Sequence, residues 1–346
     1  MSVNDEFCRA LPKVELHAHL NGSISESTMK TLTDMKGIKY DNKPQLMFEK
    51  DRNGTLEDAF RMFKMIHEVT DNTDAVYKIT FDVIHDFAKD NVKYLELRTT
   101  PRSEPSSSMT KTTYVETVLK AINDCASEDL DIIVRLILAI DRRHTLDVAL
   151  ETVQMAVKYR EKSNGVIVGI DLSGDPKKGT ATDFIPAFKE AQKHGLKLAL
   201  HLAEIPAPNE TLDVLKQVKP DRIGHGTCLQ QDIGGNKHIE QFVIDKKIPL
   251  EICMTSNITT MTVEGFDNHH FKYWYDIGHP CTICTDDKGV FTTSISEEYK
   301  IAARTFELSR EELWELSYNS INYIFSNNDT KTLLQSKWKD LKTKIV

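Results

Sequence analysis

Short runs of apolar, β-branched residues recur along the 346-residue chain, and segments with helical periodicity separate most of them. Eight runs have the character of strands: VELHAHL, VKYLELRTT, IIVRLILAID, VIVGIDLSG, LKLALHLAE, RIGHGT, IPLEICMTSN and CTICTDD. Segments such as TLDVALETVQMAVKYR and ATDFIPAFKEAQKH lie between them and have the spacing of helices. Because strands and helices alternate, we expect a parallel sheet, and eight strands fit a closed (β/α)8 TIM barrel of the α/β class.

The apolar runs become polar at their C-terminal ends, as in His-Ala-His-Leu-Asn, Arg-Thr-Thr-Pro-Arg and Thr-Asp-Asp. In an α/β barrel the C-terminal ends of all eight strands meet at one face, where active sites are built. The sequence therefore predicts a site at this face.

The stretch between the first two runs is longer than a minimal barrel needs. About seventy residues lie there, so we expect a helical insertion at about residues 22–90. One helix in it is predicted to begin at Thr55, with Asp58 as its capping-box partner. The apolar positions of this helix share a face with His67. They are Leu56, Phe60 and Phe63.

The last run is followed by a helical extension at about residues 294–346. Three helical segments are expected there, one opened by Ser309 with Glu312 and another containing Trp338. No linker, repeat or low-complexity segment divides the chain. We therefore expect a single domain over residues 1–346.

The composition is that of a folded globular protein, with 40% hydrophobic and 28% charged residues. A formal net charge of −8 and the lack of a long Lys/Arg run argue against binding to nucleic acid or to an anionic membrane. The N-terminal MSVNDEFCRA lacks the features of a secretory leader, no apolar run has transmembrane length, and the six cysteines are scattered. We expect a cytoplasmic protein whose partner is a small molecule.

Three histidines and an aspartate stand at predicted strand ends. His17 and His19 are two residues apart, so in a strand they point the same way. His201 lies in the fifth run and Asp286 in the eighth. Each has a structural alternative: a chance pair, a core histidine, or an aspartate that forms a turn. Because all four converge on one face, they offer nitrogen and oxygen ligands suited to zinc, with room for a water.

Three further side chains suit the activation of such a water. It needs one group that orients or deprotonates it and another that donates a proton to the leaving side. Glu204 follows His201 by three residues, His225 ends the sixth run, and Asp287 follows Asp286. The structural alternative is that Glu204 caps a helix and Asp287 is a solvated neighbour of the ligand. The clustering favours catalytic roles.

Other binding motifs fit the sequence less well. Cys281 and Cys284 have metal-knuckle spacing without a second pair, and we interpret them as core thiols. GDPKKGT and GHGT match neither a P-loop nor a dinucleotide fingerprint. For His269, His270 and His279 we expect a loop or a partly buried structural position.

The motifs PKVELHAHLNGS, DLSGDP, HLAE, RIGHGT, TSN and TDD resemble those of the adenosine/AMP deaminase family, in order and over nearly the whole chain. The resemblance implies one Zn²⁺ per chain and four ligands: His17, His19, His201 and Asp286. It also implies that Glu204 protonates purine N1 and that His225 is the base or electrostatic partner of the zinc-bound water. Asp287 would orient that water, and the backbone of Gly174 would contact the ring.

Within the family, the motifs are most similar to the adenosine deaminase-like branch, whose members act on N6-methyl-AMP. Adenosine deaminases have HLDG in the first motif, whereas this chain has HLNG, with Asn21. An aspartate there would repel a 5′-phosphate, but a neutral asparagine can donate a hydrogen bond to it. Thr99, Thr100 and Arg102 offer hydroxyls and a guanidinium for a phosphate. Lys288 stands where adenosine deaminases have proline.

The resemblance thus implies a set of substrate contacts, in which His67 has the alternative of only completing its helix face. The set is His19, Asn21, His67, Thr99, Thr100, Pro101, Arg102, Asp141, Gly174 and Asp287. The implied enzyme is a hydrolase that converts N6-methyl-AMP to IMP and methylamine by zinc-hydroxide attack at C6, and we expect a monomer.

Two other functions remain open, and a third is disfavoured. Adenosine deaminase, converting adenosine to inosine and ammonia, is the strongest alternative, and a non-catalytic purine-binding barrel is the second. A binuclear amidohydrolase usually needs a lysine on the fourth strand, and VIVGIDLSG has none.

Overall fold

The computed structural model describes residues 3–38 and 56–345, with the side chains of 3–38 and 62–345. Eight parallel strands follow one another in chain order: β1 Lys13–His19, β2 Val92–Thr99, β3 Ile133–Asp141, β4 Ile167–Ser173, β5 Lys197–Leu202, β6 Arg222–His225, β7 Leu250–Ile252 and β8 Cys281–Ile283. The α-helices of the described residues are α1 Asp5–Ala10, α2 Glu26–Met35, α3 Leu56–Val69, α4 Thr73–Lys89, α5 Lys111–Ala126, α6 Leu146–Lys162, α7 Ile185–Lys193, α8 Pro208–Gln217, α9 Lys237–Lys246, α10 Met254–Thr259, α11 Phe271–Asp276, α12 Ile295–Phe306, α13 Arg310–Ser320 and α14 Asn328–Ile345. The helices surround the sheet, so the predicted (β/α)8 barrel is confirmed.

The ring of strands closes between β8 and β1, at the end that carries the predicted site. Ala18 forms a parallel bridge with Asp286. The backbone N–H of Asp286 donates to the His17 carbonyl at 2.7 Å, and the N–H of His19 donates to the Asp286 carbonyl at 3.1 Å. Among the described residues, this bridge is the one ladder contact between the last strand end and the first.

Ion pairs between distant strands show that the barrel interior is charged as well as apolar. Arg222 on β6 pairs with Glu96 on β2 at 2.5 Å and with Glu251 on β7 at 2.6 Å. All three side chains are completely buried. Since β2 and β6 are not neighbours in the sheet, the Arg222–Glu96 pair must cross the inside of the barrel. Pairing and hydrogen bonding offset part of the cost of burying the charges.

The insertion between β1 and β2 contains α2, α3 and α4. The face of α4 that packs inward has apolar residues three or four positions apart, which is the spacing of one helix side. These residues are Val76, Ile79, Val83 and Phe87, all completely buried. The predicted start at Thr55 and the side chains of Asp58, Leu56 and Phe60 lie outside the described residues.

After β8 the structure has the helices α12, α13 and α14. The capping box at α13 is confirmed: Ser309 N–H donates to the Glu312 carboxylate at 2.7 Å, and Glu312 N–H donates to the Ser309 hydroxyl at 3.2 Å. On α14, the buried Trp338 donates its indole N–H to the Ser317 hydroxyl at 2.9 Å. One apolar cluster reaches from Phe7 to Trp338. It supports the prediction of a single domain, which remains a prediction.

The seventh strand is shorter than predicted, because the end of IPLEICMTSN is helical. β7 stops at Ile252, and α10 begins at Met254. The buried carboxylate of Glu298, on α12, accepts from the backbone N–H of Thr255 at 3.1 Å and also from the Thr255 hydroxyl. This acceptor satisfies an N–H in the first turn of the helix, which otherwise has no partner within the helix. A distant residue thus favours the helix over a continued strand.

In the part of the chain that the structure describes, we find no helix that is both long and apolar enough to cross a membrane.

Candidate metal centre and active site

The four predicted metal ligands lie together at the C-terminal end of the barrel. The Nε2 atom of His201 lies 3.0 Å from that of His17 and 3.2 Å from that of His19. Oδ1 of Asp286 lies 3.4 Å and 3.3 Å from the same two Nε2 atoms of His17 and His19. Among the described residues, this is the one group of three or more His, Cys, Asp or Glu side chains close enough to hold a metal ion.

The spacing of these atoms fits a metal of zinc's size. Two ligand atoms that each lie about 2.0 Å from one ion, the usual zinc-to-nitrogen distance, and subtend a tetrahedral angle at it are about 3.3 Å apart. The four distances above lie between 3.0 and 3.4 Å. Burial lowers the pKa of His201 to about 4, so its ring is neutral and can act as a ligand. The geometry and the nitrogen and oxygen donors therefore suit the ion.

The backbone at Asp286 directs its carboxylate toward the histidines. Its φ of 59° lies in the left-handed region, and its N–H and C=O both bond to β1. The Ser256 hydroxyl donates to Oδ2 at 2.7 Å. Since Oδ2 is held by this hydrogen bond, Oδ1 is left facing the histidine nitrogens.

Two buried carboxylates hold the far sides of the histidine rings. Glu251 lies 2.8 Å from Nδ1 of His17, and Asp171 lies 2.9 Å from Nδ1 of His201. When Nδ1–H donates to a carboxylate, Nε2 keeps its lone pair for a metal, and the ring orientation is fixed. The buried guanidinium of Arg98 contacts both carboxylates, at 3.4 Å for Asp171 and at a short distance for Glu251.

Glu204 and Asp287 are acidic groups beside this cluster, and each has a raised pKa. Burial raises the pKa of Glu204 to about 7, against the opposing charge of Arg142. Burial, together with the charge of Asp286, raises the pKa of Asp287 well above its usual range. Oε1 of Glu204 and Oδ1 of Asp287 are buried and have no hydrogen-bond partner among the described residues. A polar ligand would supply those partners.

The structural alternatives for these two residues do not fit the structure. The N-cap position of α8 is occupied by Ala207, so Glu204 does not cap that helix. Asp287 is 8% exposed and thus is not a solvated neighbour. The carboxylate of Asp287 instead fills the space beside Gly22, where a Cβ atom would lie 1.6 Å from Oδ1.

His225, at the end of β6, lies between the acidic groups and a cluster of polar side chains. Its Nε2 atom is 3.9 Å from Glu204 Oε2 and 3.8 Å from Asp286 Oδ2. Its Nδ1 atom is 3.2 Å from the amide nitrogen of Asn257. Burial lowers the pKa of His225 well below its usual value, so the ring is neutral. The predicted structural histidines are also buried, and His270 donates to the His225 carbonyl at 2.9 Å.

Several predicted phosphate contacts lie around the end of β2. Thr99 is buried, and its hydroxyl is 2.6 Å from that of Tyr114. Arg102 donates to the hydroxyl of Thr70 at 2.7 Å, and its Nε is buried without a partner in the described residues. Asn21 lies beside Tyr114. Of the two residues between Thr99 and Arg102, Thr100 is half-buried and Pro101 is buried.

The other predicted nucleotide contacts lie at the ends of β3 and β4 and on α3. Asp141 accepts from Arg143 at 2.6 Å. Gly174 has φ 98°, and a Cβ there would lie 2.9 Å from the Asp141 carboxylate. Burial lowers the pKa of His67 to about 4, and the charges of Arg102 and Arg143 add to this effect. His67 therefore lies within electrostatic reach of both groups.

The side chain of Lys288 packs against α4. Its ammonium lies over the ring of Phe87, 4.5 Å from the ring centre, and the charges of Asp86 and Asp90 act on it. The Lys288 ammonium thus lies near an aromatic ring and two carboxylates at the end of α4.

Comparison with known proteins identifies the family. A model described as adenosine deaminase matches residues 12–341. The human protein N6-Methyl-AMP deaminase is 49% identical over 341 residues, which cover 99% of this chain and 96% of that protein. The crystal structure of the Arabidopsis N6-mAMP deaminase has a TM-score of 0.87 at 37% identity, and the match covers 97% of this chain and 99% of that one. Arabidopsis ADAL complexed with IMP has a TM-score of 0.88 at 37% identity and covers 99% and 100%.

The chain belongs to the adenosine deaminase family. The resemblance inferred from its motifs, including that to the adenosine deaminase-like branch, is confirmed. Membership identifies the protein as a metal-dependent hydrolytic deaminase.

The sequence interpretation missed the residues that support the deaminase site from behind. Asp171, Glu251 and Arg98 were assigned to strands without a role, although each is a charged residue inside an apolar run. That placement was the available signal, because a charge in a strand buried on both faces needs a partner. Ser256 lies in the TSN motif, but the motif does not indicate which group its hydroxyl contacts.

Proposed function

We propose that this deaminase converts N6-methyl-AMP and water to IMP and methylamine. The observation that carries the proposal is the likeness, over nearly the full length, to human and Arabidopsis proteins named for this activity. Arabidopsis ADAL has been crystallised with IMP and with GMP, which supports a purine nucleotide as the ligand here.

We propose one zinc ion per chain, held by His17, His19, His201 and Asp286. Four donor-atom distances of 3.0 to 3.4 Å and the carboxylates behind His17 and His201 support this assignment. When bound, zinc supplies a water whose pKa is lowered to about 7, which provides a nucleophile at neutral pH.

The residues beside the ligands would carry the proton transfers. Glu204, with its raised pKa, holds a proton near neutral pH and would place it on purine N1 as the water oxygen adds to C6. Asp287 would orient the water, and His225 would act beside it. The water supplies two protons. One returns to Glu204 to replace the proton given to N1, and the other leaves with the methylamine.

The nucleotide would extend from the metal toward the ends of β1 to β4. We propose Asn21, Thr99, Thr100, Pro101 and Arg102 around the 5′-phosphate, because they combine a cation, hydroxyls and an uncharged amide. The remaining proposed contacts are His19, His67, Asp141, Gly174 and Asp287. The buried and unpartnered Nε of Arg102, judged on the described residues, supports a role for its guanidinium in anion binding.

We also propose that the enzyme acts as a monomer in the cytoplasm. All six cysteines are free, which is typical of a reducing compartment and supports the cytoplasmic location.

A parallel assay of adenosine, AMP, N6-methyladenosine and N6-methyl-AMP tests the substrate proposal. We expect the highest kcat/KM for N6-methyl-AMP, because the phosphate contacts distinguish nucleotides from nucleosides and the branch acts on the N6-methyl group. Faster turnover of the two nucleosides than of the two monophosphates would refute the phosphate assignment.

A further inference from the structure

A chain of hydrogen bonds with a fixed direction begins at the backbone of α11. The N–H of Phe271 donates to Nδ1 of His269 at 3.1 Å. A backbone N–H can only donate, so Nδ1 of His269 must be unprotonated. The single proton of this neutral ring is therefore on Nε2.

The same direction continues through Asn257. Nε2 of His269 lies 3.1 Å from Oδ1 of Asn257, and because Nε2 carries the proton, Oδ1 is the acceptor. This contact fixes which end of the Asn257 amide is oxygen and which is nitrogen, an assignment that depends on the hydrogen-bond network. The amide Nδ2, a donor, must then face Nδ1 of His225, at 3.2 Å.

The tautomer of His225 follows from this contact. Since Nδ1 accepts from Asn257, it carries no proton, and an imidazole proton of His225 can lie only on Nε2. A doubly protonated ring would place two donors against each other at the Asn257 contact. Nε2 is the atom directed at Glu204 and Asp286.

We call the hydrogen-bonded series His269, Asn257 and His225 the relay. It is shielded from water and held in place by the backbone. His225, Asn257 and His269 are 3%, 2% and 2% exposed, so bulk solvent does not compete for these bonds. His225 has a φ of 61°, and His270 fixes its carbonyl by a hydrogen bond of 2.9 Å. The ring therefore has a fixed position as well as a fixed tautomer.

We propose that Asn257 and His269 are positioning residues that hold His225 as its Nε2–H tautomer, so that His225 donates a hydrogen bond into the site and does not accept a proton there. The proposal deepens the proposed function, on which it rests for the meaning of His225 in catalysis. It assigns proton acceptance from the water to a group other than His225.

Nitrogen NMR of the metal-loaded enzyme labelled with ¹⁵N-histidine tests the tautomer directly. We expect long-range ¹H–¹⁵N correlations to show His225 with Nδ1 unprotonated and Nε2 protonated, with the signals assigned by their loss in His225→Gln. A proton on Nδ1 of His225 in the wild-type enzyme overturns the proposal. This measurement needs no substrate, so it is decided separately from the proposed function.

Asn257→Leu tests the positioning role, because leucine has a similar shape and no donor. We expect both tautomers of His225 to become populated, kcat on the best substrate to fall roughly 10-fold or more, and KM and metal content to stay within about threefold. Unchanged ¹⁵N shifts of His225 together with unchanged kcat contradict the proposal. If this variant does not fold, His269→Leu interrupts the relay one step further away, with the same expected shifts.

His279→Gln is the matched control. His279 is also buried and also bonds a backbone carbonyl, that of Ile248 at 2.8 Å, but it lies outside the relay. We expect this variant to keep the His225 tautomer and kcat. An equal loss of kcat in this control would mean that the effect of Asn257→Leu reflects general destabilisation.

Discussion

At Gly22 the absence of a side chain makes room for a catalytic candidate. A Cβ atom built there would lie 1.6 Å from Oδ1 and 2.3 Å from Cγ of Asp287. Both distances are far shorter than any non-bonded contact, so even a methyl group would push the carboxylate away. The glycine of the HLNG motif thus leaves room for the Asp287 carboxylate of the TDD motif, which lies far away in the sequence.

Gly22→Ala is expected to lower kcat by about 100-fold, because a displacement of about 1 Å in a catalytic group can cost that much. The metal content should stay at the wild-type level, since no metal ligand is displaced directly. Steady-state kinetics and elemental analysis measure the two quantities.

Gly265→Ala is the control for this substitution, as nothing lies within 4 Å of the Cβ position there. It should behave as wild type. A Gly22→Ala enzyme with wild-type kcat would show that Asp287 can move without consequence and would remove it from the catalytic set.

The candidate ligands that can be proposed from the sequence are those whose chemistry is local. His17 and His19 are recognisable from their spacing in a strand, and Asp286 from its place at a strand end. Asp171, Glu251 and Arg98 were not recognised, because their roles depend on which strands face each other across the barrel. That relation between distant strands is a property of the closed fold and is not written in any one motif.

At the scale of elements, Lys13 joins α1 to the start of β1. Its ammonium is completely buried and donates to the carbonyls of Cys8 at 2.8 Å and Leu11 at 2.7 Å. Carbonyls at a helix C-terminus lack partners within the helix, and a cation there also complements the helix dipole. Burial lowers the pKa of Lys13 from 10.5 to about 8.

Lys13→Met is expected to change how stability depends on alkaline pH. Between pH 8 and 10.5 the unfolded wild-type chain binds a proton at Lys13 that the folded chain has lost, so this residue's contribution to stability rises with pH. Over the full interval the rise is about 3 kcal/mol. The free energy of unfolding of wild type minus that of Lys13→Met, from urea titrations at several pH values, should therefore increase by this order.

The exposed Lys30 provides the comparison, and Lys30→Met should show no such slope relative to wild type. Parallel pH profiles of wild type and Lys13→Met would contradict the lowered pKa of Lys13.

The bounds of some strands were predicted from the sequence more accurately than those of others. Runs such as VIVGIDLSG gave strands within a residue or two, because a strand buried on both faces is continuously apolar. In IPLEICMTSN the apolar pattern did not reveal the change to a helix after Ile252. That change depends on Glu298, which lies more than forty residues away and satisfies the first turn of α10.

For the whole molecule, the count and alternation of strands were enough to predict a closed barrel. The length of the insertion was also predictable, because excess residues between two strands must be accommodated at the surface. Its arrangement as α2, α3 and α4 depends on tertiary contacts and was not predictable beyond its helical character.

Removal of the metal is expected to lower the stability of the entire barrel. A ligand that binds only the folded chain stabilises it by about 4 kcal/mol when present at 1,000 times its Kd. Elemental analysis should find one zinc per chain, and calorimetry should show a lower Tm after treatment with a chelator.

Asp286→Ala should have little bound zinc and a Tm that the chelator does not change. Two ions per chain, or a chelator-treated wild type that has lost its zinc and kept its Tm, would contradict the proposed centre.

The closure of the barrel at a single bridge has a consequence for how the protein is made. β1 supplies His17 and His19, and the segment that follows β8 supplies Asp286; among the described residues, one backbone bridge, between Ala18 and Asp286, joins the two. An ion bound by these three residues would link the first strand to the end of the last. During synthesis on the ribosome, His17 and His19 emerge first, and the ligand set is complete only after Asp286 has emerged. Capture of the ion and completion of the ring are then one late event.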